Sequence, residues 1–398
     1  MTSLHELLAA DRAAQMQTYG RTPVAFVAGR GVELTDSDGT VYLDALSGIA
    51  VTGLGHCHPE VAEAIARQAK TLDHVSNLYL TEPQIALAGR LRDLSGFDAR
   101  VFFANSGAEA NECALKLARR ASVHRHGRTR TKVVALEHGF HGRTFATLAA
   151  TGQPAKHAPF EPLPEWFVHV PPTDPDALAA AIDDETAAVL LEVVQGEGGV
   201  LPVSDELLAT ARRRCDEVGA LLVIDEVQTG LGRLGAWFGF QTTPVVPDVF
   251  TLAKALGNGL PIGACVARAD IAAAFGPGDH ATTFGGGPVV CAAALTTLEV
   301  IEREELVRNA AERGDELAAM LRALDDPRIT EVRGRGLLVG LVLAEPIANA
   351  LVDATRARGV IVGSAGPEVL RLAPPLIVSS ADLAAIVDAV AGALKDVR

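Results

Sequence analysis

The stretch Leu221–Ala264 reads LLVIDEVQTGLGRLGAWFGFQTTPVVPDVFTLAKALGNGLPIGA. It opens on aliphatic residues that run into an acid, Asp225, and continues past a glycine-rich segment to a lone lysine, Lys254. An uninterrupted aliphatic run of strand length, without polar alternation, is the pattern of a strand buried on both faces. A carboxylate ending such a strand is costly unless it is paired. A lysine among small and apolar residues has its charged form disfavoured, so it can serve as a neutral amine. An acid and an amine at the ends of two strands of one sheet can hold the two ends of a flat cofactor, the acid keeping a ring nitrogen cationic. The ordinary alternatives are a helix cap or metal ligand for Asp225 and a snorkelling surface lysine for Lys254. Gly257, Gly259 and Gly263 favour the functional reading of the lysine.

Working outward, the same pattern repeats. ARVFFANSG, TKVVALEHGFHGRT and AAVLLEVVQGEGG each read as a strand entering a loop. Between them lie amphipathic helices: Ala110, Cys113, Ala114, Leu117 and Ala118 share one face. Ser204 and Gly219 bracket another helix as N-cap and C-terminal stop. Alternating strands and helices predict an α/β fold, a mostly parallel central sheet covered by helices. Ligands of such sheets bind outside the carboxyl ends of the strands. The polar residues of these strands collect there: Ser106-Gly107, Phe140–Arg143, Gln195–Glu197, Asp225–Gln228 and Lys254.

Residues 1–58 read as a short helix and strand pieces, with DSDGT (Asp36–Thr40) as a turn, and form an N-terminal segment that packs with a smaller domain. Pro59 starts a helix, and 59–285 are the large cofactor-binding domain. Residues 286–398 form the smaller α/β domain. It holds one long helical run from Pro288 to Leu324, a strand in RGRGLLVGLVL, a second in GVIVGSAGPEVLRLAPPL, and a last helix capped at Ser380.

The net charge of −14 repels phosphate backbones, which argues against nucleic acid as a partner. No apolar run approaches the ~20 residues needed to span a bilayer. The N-terminus lacks the basic-then-apolar order of a signal peptide. Five scattered cysteines without a CxxC pair fit a reducing, cytoplasmic setting. An acidic chain of this kind can still carry a local basic cleft for an anionic metabolite.

Further candidates come from the strand ends. In SGAEANE (Ser106–Glu112), Gly107 permits a tight turn, and the helix N-terminus behind it can bind phosphate; a plain strand-to-helix turn has the same look. Phe140, in HGFHGRT, is either a stacking aromatic or a core residue. Arg143 and Arg371 are candidates for bidentate carboxylate recognition, and Glu197 can pair with one of them. Strand alternation sends the side chain of Glu226 to the face opposite Asp225. His56 and His58 flank Cys57, but that spacing matches no common metal site, so no metal is expected.

SGAEANE, HGFHGRT, QGEGG, IDEVQTGLGR and TLAKALGNGLPIGA, in this order, resemble the class III pyridoxal-phosphate aminotransferases. The likeness runs from TPVAFVAGRG to LRLAPPL. SNLYLTEPQ, TGQPAKHAPFEPLP and GGPVVCAAA are similar to the branch that acts on acetylornithine. The resemblance implies a fold-type-I transferase and a cytoplasmic homodimer with shared active sites. It implies ping-pong transfer of the δ-amino group of N2-acetylornithine to 2-oxoglutarate in arginine biosynthesis. It assigns Lys254 the Schiff base with pyridoxal 5'-phosphate and the proton transfer. Asp225 would sit at the pyridinium nitrogen and Gln228 near the ring hydroxyl, with Glu226 in the same cofactor-binding stretch. Val227 and Phe140 would pack on the two ring faces, and Gly107 and Ala108 would bind the phosphate, joined by Thr283 of a second subunit. Arg143 and Thr282 would lie at the substrate. Arg371 would grip the α-carboxylate of glutamate or 2-oxoglutarate and be masked by Glu197 when the ω-amino donor binds. Leu80 and Gly287 depart from the family pattern, where an aromatic and an asparagine are frequent. The alternatives are another ω-aminotransferase (ornithine, 4-aminobutyrate, succinyldiaminopimelate or carrier-bound lysine), an aminomutase, or a nucleotide-binding protein with no Schiff base.

Overall fold

Each aliphatic run becomes a strand, and seven strands join one sheet in a computed structural model that describes residues 3–397. In chain order they are β1 (Ala99–Ala104), β2 (Lys132–Leu136), β3 (Phe167–Val170), β4 (Thr186–Leu191), β5 (Leu221–Asp225), β6 (Val249–Leu252) and β7 (Gly263–Arg268). In space the order is β1-β7-β6-β5-β4-β2-β3. The strands from β6 to β3 are mutually parallel. β7 is antiparallel to both its neighbours, so β1 points the same way as the other five.

Strand alternation splits the core. Leu221 and Val223 face one side with Ala114, Leu117 and Ala118 of α1 (Gly107–His126). Leu222 and Ile224 face the other, with Leu207, Leu208 and Ala211 of α2 (Asp205–Val218). The Ser204 hydroxyl accepts from Leu207 N–H at 3.2 Å, and Gly219 ends α2 at φ +74°.

Two strands have no counterpart in the sequence reading. β3 is an edge strand, four residues long and partly exposed, with a histidine in it. β7 opens on Gly263 and Ala264, whose lack of bulk hides its strand character. Bulk is excluded there, because a Cβ on Gly263 would lie 2.3 Å from the Ser106 carbonyl oxygen.

The second half differs in three details. The expected single helix over Pro288–Leu324 is two, α3 (Pro288–Arg303) and α4 (Leu306–Arg322), broken at Glu305 with φ +53°. The break lets the two apolar stripes turn separately onto the core they share. RGRGLLVGLVL spans a hairpin of β8 (Ile329–Arg335) and β9 (Leu338–Leu343), and β9 also pairs with β10 (Val369–Leu372), which carries Arg371. The final helix, α5 (Ser380–Asp396), is capped by Ser379 rather than Ser380: the Ser379 hydroxyl accepts from Asp382 N–H at 3.2 Å.

The N-terminal strands reach this region, since Val41–Asp44 pairs in parallel with Val360–Ile361. Arg233, in the glycine-rich segment after β5, is 2% exposed. Its Nη1 donates to the carbonyls of Leu337 (3.0 Å) and Pro374, and Leu337 N–H donates back to the Arg233 carbonyl at 3.0 Å. Among the described residues no helix is long and apolar enough to cross a membrane.

Candidate active site

The carboxyl ends of β1, β2, β4, β5 and β6 surround a cavity of 490 Å³. Asp225 enters it from β5 and is 3% exposed. Its Oδ2 accepts from Asn111 Nδ2 at 2.8 Å and from His141 Nδ1 at 2.9 Å; its Oδ1 accepts from Val227 N–H at 3.0 Å. Three donors thus fix the orientation of this buried carboxylate. Donation to Asp225 places the His141 ring proton on Nδ1, and Nε2 of that ring is buried with no partner. Asn111, one turn into α1, also donates to the His141 carbonyl at 2.8 Å and accepts from the Thr251 hydroxyl at 2.8 Å. That pattern fixes which way its amide points.

Lys254 follows β6 directly and lines the same cavity. Its φ of +43° is left-handed for a residue with a Cβ, a strain that the surrounding structure must hold. Burial draws its pKa below the ordinary lysine value; Glu197, Asp225 and Glu192 oppose this, and Arg371 adds to it. A similar turn precedes Val51, another lining residue: Ser47, Gly48, Ile49 and Ala50 all have positive φ.

Gly107 and Ala108 line the cavity at the first turn of α1, where helical N–H groups have no intrahelical acceptor. Glycine is required at 107, because a Cβ there would stand 2.8 Å from Val227 Cγ2. Val227, Gln228 and Phe140 complete the walls, with Arg143 at the exposed rim, its guanidinium carbon 5.6 Å from the Phe140 ring centre.

Arg371 lies beside Gln228, 3% exposed. Its Nη1 donates to Glu197 Oε1 at 2.6 Å, to the Gly196 carbonyl at 3.2 Å and to Gln228 Oε1 at 3.2 Å. Burial works to raise the Glu197 pKa, but Arg371 overcomes it and the carboxyl titrates below its ordinary value.

Five expected residues do not line this cavity: Arg371 and Glu197 lie beside it, and Glu226, Thr282 and Thr283 are turned elsewhere. Glu226 turns away, as strand alternation requires: its carboxylate accepts from Gly239 N–H (2.8 Å), Phe240 N–H (2.7 Å) and the Thr229 hydroxyl (2.6 Å). It therefore pins the glycine-rich segment instead of lining the cofactor cavity, and burial pushes its pKa up to about 6. The Thr282 hydroxyl accepts from Gly285 N–H at 3.1 Å and Asn105 Nδ2 at 3.3 Å. Thr283 is exposed, on a surface with Leu78 and Phe284. His56 donates its ring to Asp44 at 2.8 Å. His58 approaches Glu60 and Glu304, but both Glu60 oxygens are taken by Arg303, at 2.9 and 2.5 Å.

The sequence reading missed Asn111, His141 and Glu192. Glu192 interrupts the aliphatic run AAVLLEVV, so the cost argument used for Asp225 applied to it equally. Its Oε2 accepts from Phe140 N–H at 3.1 Å and its Oε1 from Gly196 N–H at 3.2 Å. Burial raises its pKa to about 7, with His141 lowering it and Asp225 raising it further. His141 stood in a loop from which only Phe140 and Arg143 were singled out. Asn111 is a polar residue on the buried side of α1, a signal of the same kind.

The sequence profile described as "Aminotransferase class-III" matches residues 14–394. The acetylornithine aminotransferase of Mycolicibacterium smegmatis is 50% identical over 382 residues, 96% of each chain. The ornithine aminotransferase of Toxoplasma gondii superposes with a TM-score of 0.95 at 31% identity, covering 100% of this chain and 96% of that one. The N-acetylornithine aminotransferase of Stenotrophomonas maltophilia superposes with a TM-score of 0.84 at 33% identity, covering 98% of both. With the profile spanning nearly its whole length and the parallel-sheet site in place, the chain belongs to the class III aminotransferases.

Proposed function

We propose that the chain is a pyridoxal-phosphate-dependent N2-acetylornithine:2-oxoglutarate 5-aminotransferase, producing N-acetylglutamate 5-semialdehyde and glutamate in arginine biosynthesis. The observation that carries this is the convergence of Asp225 and Lys254 on one cavity, with the Arg371–Glu197 pair beside it. The 50% identity with an acetylornithine aminotransferase supports the choice of donor. The residues present fit the cofactor: a buried carboxylate held by three donors, an amine made less basic by burial, and a helix N-terminus opened by a glycine packed on Val227.

When bound, pyridoxal phosphate supplies an electron sink for the carbon that loses its proton. Asp225 would face the ring nitrogen and keep it protonated, with His141 and Asn111 holding Asp225 in place. Lys254 would hold the cofactor through its side-chain amine and, once the substrate amine has displaced it, would serve as the base that takes the proton from the amine-bearing carbon and returns it across the cofactor. Gly107 and Ala108 bind the phosphate. Phe140 and Val227, both lining the cavity, would pack on the two faces of the ring and exclude water, and Gln228 would lie near the ring hydroxyl. Arg143 would meet the donor at the cavity rim, and Thr282 would do so through Asn105, the lining residue its hydroxyl bonds. Arg371 binds the α-carboxylate of glutamate or 2-oxoglutarate, and Glu197 covers that arginine while acetylornithine is bound, so one site takes two substrates of different length.

Two copies share their sites in this reading, Thr283 of each reaching the other's phosphate. The exposure of Leu78 (88%), Tyr79 (69%) and Phe284 (67%) near Thr283 supports a surface covered by a second copy. The division at 58/59 and 285/286 belongs to the same proposal. So does a cytoplasmic setting, supported by five cysteines without a disulfide.

The test is a purified protein assayed with acetylornithine, ornithine, 4-aminobutyrate and succinyldiaminopimelate as donors to 2-oxoglutarate. Acetylornithine is expected to give the highest kcat/KM. Borohydride is expected to bleach the coloured protein and leave the cofactor on Lys254. A protein that stays colourless with added cofactor and is indifferent to borohydride refutes the reading.

A further inference from the structure

The Arg371–Glu197 pair has unequal partners. Arg371 is tied down by Gly196 and Gln228 as well as by Glu197. The Glu197 side chain is 30% exposed against 4% for Arg371. Glycines flank it on both sides, Gly196 and Gly198. The next residue, Gly199, is a fixed end: its carbonyl accepts from Arg333 Nε at 3.0 Å and Nη2 at 2.7 Å. When a substrate carboxylate takes Arg371, Glu197 is therefore the arm that moves. A carboxylate displaced within a half-buried pocket is costly until it meets another cation.

The chain supplies one. Gly198 packs on the His138 carbonyl, which a Cβ at 198 would approach to 2.7 Å. Gln153 Nε2 donates to that same carbonyl at 3.1 Å and to Gly139 O at 3.3 Å, and Gln153 Oε1 holds the Lys156 ammonium. Lys156 is half-buried and faces a cavity of 540 Å³ that His138, Gln153 and His157 also line. The His157 and His169 rings there each donate Nε2–H to a carbonyl, at 2.6 and 3.1 Å, and Glu137 is the carboxylate on the same wall. The partner holding Lys156 is a neutral amide, so its charge is open to an anion. That charge already acts on Glu197, after Arg371 and Lys254.

We propose that Lys156 is the second resting place of the Glu197 carboxylate: Glu197 pairs with Arg371 while the ω-amino donor is bound, and with Lys156 while glutamate or 2-oxoglutarate occupies Arg371. Lys156 is then a positioning residue for one half of the reaction. This rests on the switch described above.

The experiment is single-turnover kinetics of each half-reaction on the cofactor-loaded enzyme, with Lys156→Met, Lys156→Arg, Glu197→Ala and Lys156→Met/Glu197→Ala. Lys156→Met is expected to weaken 2-oxoglutarate binding about fivefold, the upper end for a partly exposed ion pair. The acetylornithine half-reaction should change less than twofold, Lys156→Arg should restore acceptor binding, and the effect should vanish in the Glu197→Ala background. Acceptor binding within twofold of wild type in Lys156→Met overturns the proposal. So does a loss of the same size with Glu197 already removed. If Glu197→Ala leaves the donor-to-acceptor preference unchanged, the switch itself falls and takes the proposal with it; if it shifts the preference while Lys156→Met does nothing, only the role of Lys156 falls.

Discussion

Asn111→Leu tests whether the acid of the site depends on its scaffold. The side chain is 1% exposed and has three polar contacts: Asp225 Oδ2, the His141 carbonyl and the Thr251 hydroxyl, each at 2.8 Å. Leucine keeps the volume and removes all three. A hydrogen bond to a charged group contributes about 1.5–3 kcal/mol, which corresponds to about 10- to 100-fold in an equilibrium or a rate. Two donors on Asp225 remain, His141 and Val227 N–H, so the acid is weakened rather than released. Cofactor affinity, titrated by absorbance, and the half-reaction rate should each fall about 10-fold or more, while Tm falls by only a few degrees in a chain of this size. Thr251→Val removes a partner of Asn111 without touching Asp225, and should cost about 1 kcal/mol of stability with little change in rate. If cofactor affinity and rate in Asn111→Leu stay within twofold of wild type, Asn111 does not support the acid and the reasoning fails.

Other expectations follow from the same site. Lys254→Ala should fold and keep its thermal stability within about 1 kcal/mol but lose turnover, and substantial residual transamination would contradict its role. In the wild-type apoprotein, the rate of cofactor attachment should rise with pH along a limb below the ordinary lysine pKa of 10.5, because burial favours the neutral amine; stopped-flow mixing across pH reads this. Glu226→Ala should lower stability by about 3 kcal/mol or more, since one buried carboxylate serves three donors, while changing cofactor affinity far less than Asp225→Ala does. For Glu192 the folded pKa of about 7 lies above its ordinary 4.5, so the native state binds the extra proton. Its contribution to stability is full below pH 4.5 and is lost as pH rises toward 7. Tm of Glu192→Gln should therefore vary less than wild type over that window.

Much of the site was legible because its cost is written locally. A carboxylate closing LLVID, a lysine after VFTL and a glycine where β1 meets α1 each break an apolar pattern at a strand end, and five strands do so at the same edge. Helix α2 was legible for a similar reason, since Ser204 and Gly219 satisfy its ends with neighbours in sequence. What escaped depends on distant contacts. β7 is small-residued because the Ser106 carbonyl passes over Gly263, which only the folded sheet reveals. The break at Glu305 answers to where α3 and α4 must pack, not to any proline or glycine between them. Asn111 meets Asp225 across 114 residues, and His141 meets it across 84. Thr283 faces outward, and the Thr282 hydroxyl turns to Gly285 and Asn105, placements set by a loop far along the chain from the strand ends.

Arg233 sets a condition on how the molecule comes apart. Its guanidinium is buried against carbonyls, and burial draws its pKa down to about 10, opposed by the charge of Asp44. Those carbonyls belong to the turn between β8 and β9 and to the segment after β10, while Arg233 itself belongs to the chain that leaves β5. Peeling the C-terminal layer away from an intact central sheet would break the hydrogen bonds from this charged donor to Leu337 and Pro374 and the return bond from Leu337 N–H. A hydrogen bond to a charged group contributes about 1.5–3 kcal/mol, so half-unfolded forms of that kind are penalised at a single side chain. Melting is therefore expected as one calorimetric transition for both layers, with this arginine as the rivet between them.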